Sequence, residues 1–172
     1  MGMNSKSEKA VTKEYYLKPG YIFVPEQPTT ISTVLGSSVA VSLYDRKRKI
    51  GGMNHFLFPY TMVPEKTTAR YGNVAIQTLI KMMSFAGAPS PGLEAQIFGG
   101  SFDPRQCEKD IGHENLTTAK QILMRYKIKI ISQDTGGELG RKIVFNTHTS
   151  EIVVLRVDRL RESDWFPYEG DR

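Results

Sequence analysis

Cysteine is nearly absent: Cys107 is the single thiol in 172 residues, which excludes an internal disulfide framework and any centre built from several thiolates, such as a four-cysteine zinc or iron–sulfur site. A reducing cytoplasm is the expected setting. Long apolar runs are lacking as well. The longest, such as Ile152-Val153-Val154-Leu155, are a handful of residues, whereas a membrane helix needs about 20, so no membrane insertion is expected. The N-terminal MGMNSKSEKA has no apolar signal core, and Lys6 stands where a myristoylation pattern requires Ser or Thr. It reads as a solvated tail. The three histidines, His55, His113 and His148, are too scattered for a metal triad, and no metal is expected.

Basic residues outnumber acidic ones, 23 to 18, with a dense run at Arg46-Lys47-Arg48-Lys49 and a looser one at Arg156, Arg159 and Arg161. Nucleic acid therefore has to be weighed as a partner. No zinc finger, RNP-type aromatic strand, helix-turn-helix or GXXG clamp accompanies the charge, and four basic residues between two apolar segments are most simply a solvated hairpin tip. No nucleic-acid partner is expected.

The pattern predicts one domain over residues 15–160, between a flexible N-terminal tail at 1–14 and a polar C-terminal tail at 161–172. Tyr15 to Val24 mixes aromatics and aliphatics and stops at Pro25, a turn or sheet edge. Thr29 to Val34 and Val39 to Tyr44 read as strands with a Gly-Ser kink between them, and Ile50 to Phe58 returns as a third strand. Tyr60 to Arg70 reads as an exposed loop. Two helices follow. Tyr71 to Ala86 carries Val74, Ala75, Leu79, Met82 and Met83 at helical spacing and stops at Gly87, while His113 to Tyr126 presents Leu116, Ala119, Ile122 and Leu123. Further strands are predicted at Leu93–Phe98, Ile128–Ser132, Lys142–Asn146 and Glu151–Val157. Six or more strands with two long helices argue for an α/β or α+β sandwich with helices covering one sheet, not a doubly wound fold.

If residues 38–55 form an antiparallel hairpin, opposed residues have a constant sum of sequence numbers. A two-residue loop at Arg46-Lys47, or a four-residue loop over Asp45 to Arg48, sets that sum so that Ser38 lies opposite His55. Opposed side chains share a face with Cβ atoms about 4.5–5.5 Å apart, which brings a hydroxyl within reach of an imidazole. A bulge at Gly51-Gly52 would break the opposition. On spacing alone, a packed histidine and a turn serine explain these residues equally well.

The run Ser32-Thr33-Val34-Leu35-Gly36-Ser37-Ser38-Val39-Ala40-Val41-Ser42-Leu43-Tyr44-Asp45 resembles the signature of the CheD family of chemoreceptor glutamine deamidases. The resemblance continues through His55 in Gly-Met-Asn-His-Phe-Leu-Phe-Pro, Tyr71-Gly-Asn, Phe98-Gly99-Gly100, Ile111-Gly112 before Asn115, and Asp134-Thr135-Gly136-Gly137 with Gly140-Arg141-Lys142-Ile143, so it covers roughly residues 15–157. It implies a three-layer α/β/β sandwich of mixed, mostly antiparallel sheets with two long helices on one face. It also implies a nucleophile at position 38, His55 as general base and acid, and an orienting hydroxyl at Ser32, with Thr33 as its substitute. Ser37, Gly99, Gly100, Ser101 and Phe102 are the expected substrate contacts. No cofactor is implied. The implied partners are methyl-accepting chemoreceptors and a CheC-type phosphatase.

Position 38 departs from that family's signature, which has Cys where this chain has Ser. A thiol is readily ionised beside a histidine, whereas a serine hydroxyl is far less acidic and needs concerted proton removal. The Ser38 chain is therefore expected to be inactive or very slow. Three explanations stand: an engineered Cys→Ser inactivation, which is favoured; a natural binding module that docks on receptors or on the phosphatase without catalysis; and a serine enzyme.

Overall fold

A computed structural model describes residues 12–165. The first two strands, β1 (Lys13–Tyr16) and β2 (Ile22–Phe23), enter different sheets, so the segment read as one unit before Pro25 is split by the turn at Gly20. β3 (Thr29–Leu35), β4 (Val39–Asp45) and β5 (Ile50–Phe56) follow, then α1 (Gly72–Phe85), β6 (Leu93–Gly99), α2 (Ile111–Arg125), β7 (Lys129–Thr135), β8 (Gly140–Asn146) and β9 (Ile152–Val157). The C-terminal segment expected as a tail begins with one helical turn, α3 (Glu162–Trp165), in which Asp164 meets Lys142 Nζ at 2.6 Å. Residues 1–11 and 166–172, the rest of the two expected tails, lie outside the described residues.

The strands form two sheets, ordered β1-β3-β8-β9 and β2-β5-β4-β6-β7, with only β1–β3 and β6–β7 parallel. A parallel pair needs a crossover, and α2 supplies it between β6 and β7. Two cores define three layers. Val41, Leu43, Phe56, Ile76, Leu79, Met83, Ile97 and Leu123 join α1 and α2 to one face of the five-stranded sheet. Ile31, Leu35, Ala40, Met53, Phe98, Ile143 and Phe145 fill the space between the sheets. Strand alternation explains this division: odd residues of β4 face the helices and even ones face the second sheet. The result is an α+β sandwich with both long helices on one sheet. Among the described residues no helix is long and apolar enough to cross a membrane.

Register corrects the hairpin arithmetic. The loop is Arg46 to Lys49, centred one residue later than either geometry considered, and Asp45 pairs with Ile50. Asp45 stays in the strand because its buried carboxylate accepts from the Arg48 amide at 2.9 Å and its carbonyl from the Lys49 amide at 2.7 Å, while Lys49 takes φ 55°. His55 therefore opposes Ala40, and the ladder runs without a bulge. Gly51 and Gly52 serve close packing instead: a Cβ at Gly52 would lie 2.6 Å from Val24 Cγ2, and one at Gly51 2.6 Å from the Thr147 carbonyl.

Candidate active site

Ser38 occupies a bend between β3 and β4 that is clamped by the turn after β6. Gly100 N–H donates to the Ser38 carbonyl at 2.9 Å, and Ser101 N–H to the Gly36 carbonyl at 3.0 Å. Gly99 has φ +98°, and a Cβ there would collide with the Ser38 carbonyl oxygen. Glycine is required at that position on both counts. The turn is held from behind by α2, whose Gly112 would place a Cβ 2.6 Å from the Ser101 carbonyl. Gly99, Gly100 and Ser101, expected as substrate contacts, thus hold the bend that carries Ser38.

His55 is fully buried on the inter-sheet face of β5. Although it sits diagonally to residue 38 and not directly opposite, an imidazole spans the diagonal. Its Nε2 lies 2.8 Å from Ser38 Oγ. On the other side Nδ1 lies 2.8 Å from Thr33 Oγ1, which comes from the second sheet. The hydroxyl partner is therefore Thr33. Ser32 belongs to the opposite face of β3, since Ile31, Thr33 and Leu35 turn inward together.

The hydrogen-bond chain fixes the tautomer. Thr33 Oγ1 lies 2.7 Å from the Leu17 carbonyl, an acceptor only, so the single hydroxyl proton is committed there. Thr33 must then accept from His55, which puts the ring proton on Nδ1 and leaves the Nε2 lone pair facing Ser38. Ser38 Oγ–H donates to it. Burial pushes the imidazole down to about 3, a shift the nearby Leu17 backbone opposes only in part, so the ring is neutral across the physiological range. Among the described residues its Nδ1 partner is the Thr33 hydroxyl and not a carboxylate, in contrast to a serine-protease triad.

Ser37 is exposed and lines a cleft of about 650 Å³ with Ser101, Phe102, Cys107 and Leu160. Phe102 also borders a neighbouring cleft of about 450 Å³ against Gly136 and Gly137. That glycine turn is pinned by buried Arg141, which donates to the Gly136 carbonyl at 2.8 Å and meets Asp134 at 2.8 Å. Burial alone would raise the Asp134 carboxyl, but Arg141 and Arg156 outweigh it and hold it below the usual range. Among the described residues no three His, Cys, Asp or Glu side chains cluster as metal ligands.

Sequence reasoning passed over Asn115 as a site residue. Buried on α2, it donates from Nδ2 to the carbonyls of Ser37 and Leu57, both at 3.0 Å. The signal was available: Asn115 stands four residues before Ala119 on the otherwise apolar stripe of that helix.

Comparison with known proteins places this geometry in context. Residues 59–156 match the family model described as CheD chemotactic sensory transduction. That match begins after His55, so the arrangement of Thr33, Ser38 and His55 stands on geometry. A protein of Sulfurimonas denitrificans named probable chemoreceptor glutamine deamidase CheD is 36% identical over 148 residues, 84% of this chain and 94% of the relative. One of Trichlorobacter lovleyi with the same name is 34% identical over 88% of this chain and 96% of its own length. The probable chemoreceptor glutamine deamidase CheD 1 of Anaeromyxobacter dehalogenans is 40% identical over 77% and 78%.

Proposed function

Because the chain belongs to the CheD family, we propose that its scaffold is that of a chemoreceptor glutamine deamidase, with position 38 as nucleophile, His55 as general base and acid, and Thr33 as the hydroxyl orienting the ring. The observation that carries this reading is the relay from Ser38 Oγ through His55 to Thr33 and the Leu17 carbonyl, with distances of 2.8, 2.8 and 2.7 Å. It presents a base lone pair to residue 38.

With a thiol at position 38, proton transfer to Nε2 gives a thiolate and an imidazolium that stabilise one another. The thiolate sulfur attacks the side-chain carboxamide carbon of a receptor glutamine, and the carbonyl oxygen becomes an oxyanion. Among the described residues the Ser37 and Ser38 amides have no hydrogen-bond acceptor, which leaves them available to it. Nε2–H then protonates the leaving nitrogen, the C–N bond breaks, and ammonia departs from a thioester. Water loses a proton to Nε2 and attacks the thioester, and glutamate leaves as the thiolate is regenerated. Exposed Ser37 and half-buried Phe102 line the cleft beside the residue-38 bend.

The Ser38 chain is inactive or very slow on the same argument. An imidazole lowered to about 3 by burial, with a neutral hydroxyl behind it, is a poor base for a serine. The test is mass spectrometry of receptor cytoplasmic fragments incubated with the parent chain, with Ser38→Cys, and with Ser38→Cys carrying His55→Ala. Glutamine-to-glutamate conversion is expected from Ser38→Cys alone. Receptor or CheC-type phosphatase binding without conversion by folded Ser38→Cys would favour the regulatory module and overturn the enzyme reading.

A further inference from the structure

We infer that Asn115 is a positioning residue that sets the peptide plane preceding the nucleophile and, with it, the aim of the oxyanion-binding amide. The inference rests on the deamidase reading for its purpose but on geometry for its substance. The β4–β5 ladder ends at the Val39–Phe56 pair, so residue 38 and the segment after His55 lie beyond it. There the Asn115 carboxamide bridges the two chains, using both protons of one nitrogen on the Ser37 and Leu57 carbonyls. Both acceptors are carbonyls, so the amide orientation is determined by the bonds it makes.

Two consequences follow. The bridge holds the residue-38 segment at a fixed distance from the strand that carries His55, where ladder bonds no longer do so. It also fixes the direction of an N–H. In a planar trans peptide the N–H points opposite to the C=O of the same unit. The Ser37 carbonyl is held toward α2, so the Ser38 N–H points away from that helix, and among the described residues it finds no acceptor. A free donor of fixed orientation on the nucleophile's own residue is what a developing oxyanion requires.

The other end of the side chain argues that the bridge is more than packing. Asn115 is fully buried, yet among the described residues its Oδ1 has no partner. An unpaired buried acceptor is destabilising, so it is the two bonds from Nδ2 that account for a carboxamide here. The donor end is the part put to use.

The test reads thiol reactivity, which needs no receptor. In Ser38→Cys, the pH profile of iodoacetamide alkylation at position 38 is followed by peptide mass spectrometry, with exposed Cys107 as an internal reference. Adding Asn115→Leu, of similar size, is expected to slow alkylation at position 38 near neutral pH by about tenfold or more and to move its profile toward that of a free thiol, with Cys107 unchanged. Asn115→Gln, which keeps both donors, is expected to recover part of the rate. An unaltered profile in folded Asn115→Leu would overturn the inference. Should that variant not fold, hydrogen exchange in the parent chain decides: both Asn115 carboxamide protons should be protected and the Ser38 amide should exchange freely. The reverse pattern overturns the proposal. If alkylation depends on Asn115 while no receptor glutamine is converted, the positioning role stands and the deamidase reading fails.

Discussion

At the scale of single residues, Thr33 is where strand parity decides chemistry. Ser32 and Thr33 carry the same functional group one position apart, yet only Thr33 reaches the imidazole, because its neighbours Ile31 and Leu35 bury that face of β3. The alternation of Ile31, Thr33 and Leu35 was legible in the sequence. Counting back from the nucleophile by resemblance gave Ser32 precedence over it. Thr33→Val keeps the shape but strands the His55 Nδ1–H and the Leu17 carbonyl, so a stability loss of about 1–3 kcal/mol is expected by denaturant unfolding. In the Ser38→Cys form it should also lower turnover, since the ring loses its orienting acceptor. Ser32→Ala, on the outer face, should stay within about 0.5 kcal/mol of the parent. Equal effects of the two substitutions would contradict the assignment.

The elements themselves follow from local signals. Apolar alternation, the Gly87 stop after α1 and the apolar stripe of α2 placed the long strands and helices within a few residues. Register was less legible, because it depends on where a turn begins, and the Asp45 carboxylate that delays this one acts through bonds to a residue three positions on. The Gly99-Gly100 turn was visible as a motif, but its role emerges only when α2 and the Ser38 bend pack on it from two sides. Gly99→Ala tests that role. It combines an unfavourable φ with a collision against the Ser38 carbonyl oxygen, and we expect a loss above about 2 kcal/mol together with displacement of residue 38. A melting temperature and an alkylation rate in the Ser38→Cys form that both match the parent would show the turn to be dispensable.

For the molecule as a whole, the site lies at one end of the sandwich and the basic hairpin tip at the other, separated by the seven residues of β4, roughly 20 Å. The tip is exposed and partly neutralised by Glu94 and Asp45, in keeping with a solvated turn. What links the site to global stability is the buried imidazole. In the folded chain it binds a proton only near pH 3, against 6.5 for an unperturbed histidine, so between those values the unfolded state holds a proton that the folded state does not. Stability is then complete above about pH 6.5 and falls as the pH drops, by up to about 1.4 kcal/mol per unit. The carboxylates of Asp45 and Asp134, which burial would raise but their arginine partners hold low, add stability that is complete above their ordinary value of 3.8 and is lost only as the pH falls below it. Denaturant unfolding between pH 7 and pH 4.5 should therefore show a decline that His55→Gln flattens. A parent chain equally stable across that interval would contradict a neutral buried ring.

The His55 lone pair facing position 38 is central to everything above, and nitrogen NMR of the labelled parent chain observes it without substrate or substitution. The Nδ1 resonance should be that of a protonated ring nitrogen and the Nε2 resonance that of an unprotonated one, unchanged from neutral pH to below 5. A proton on Nε2 at neutral pH, or titration near 6.5, would contradict it.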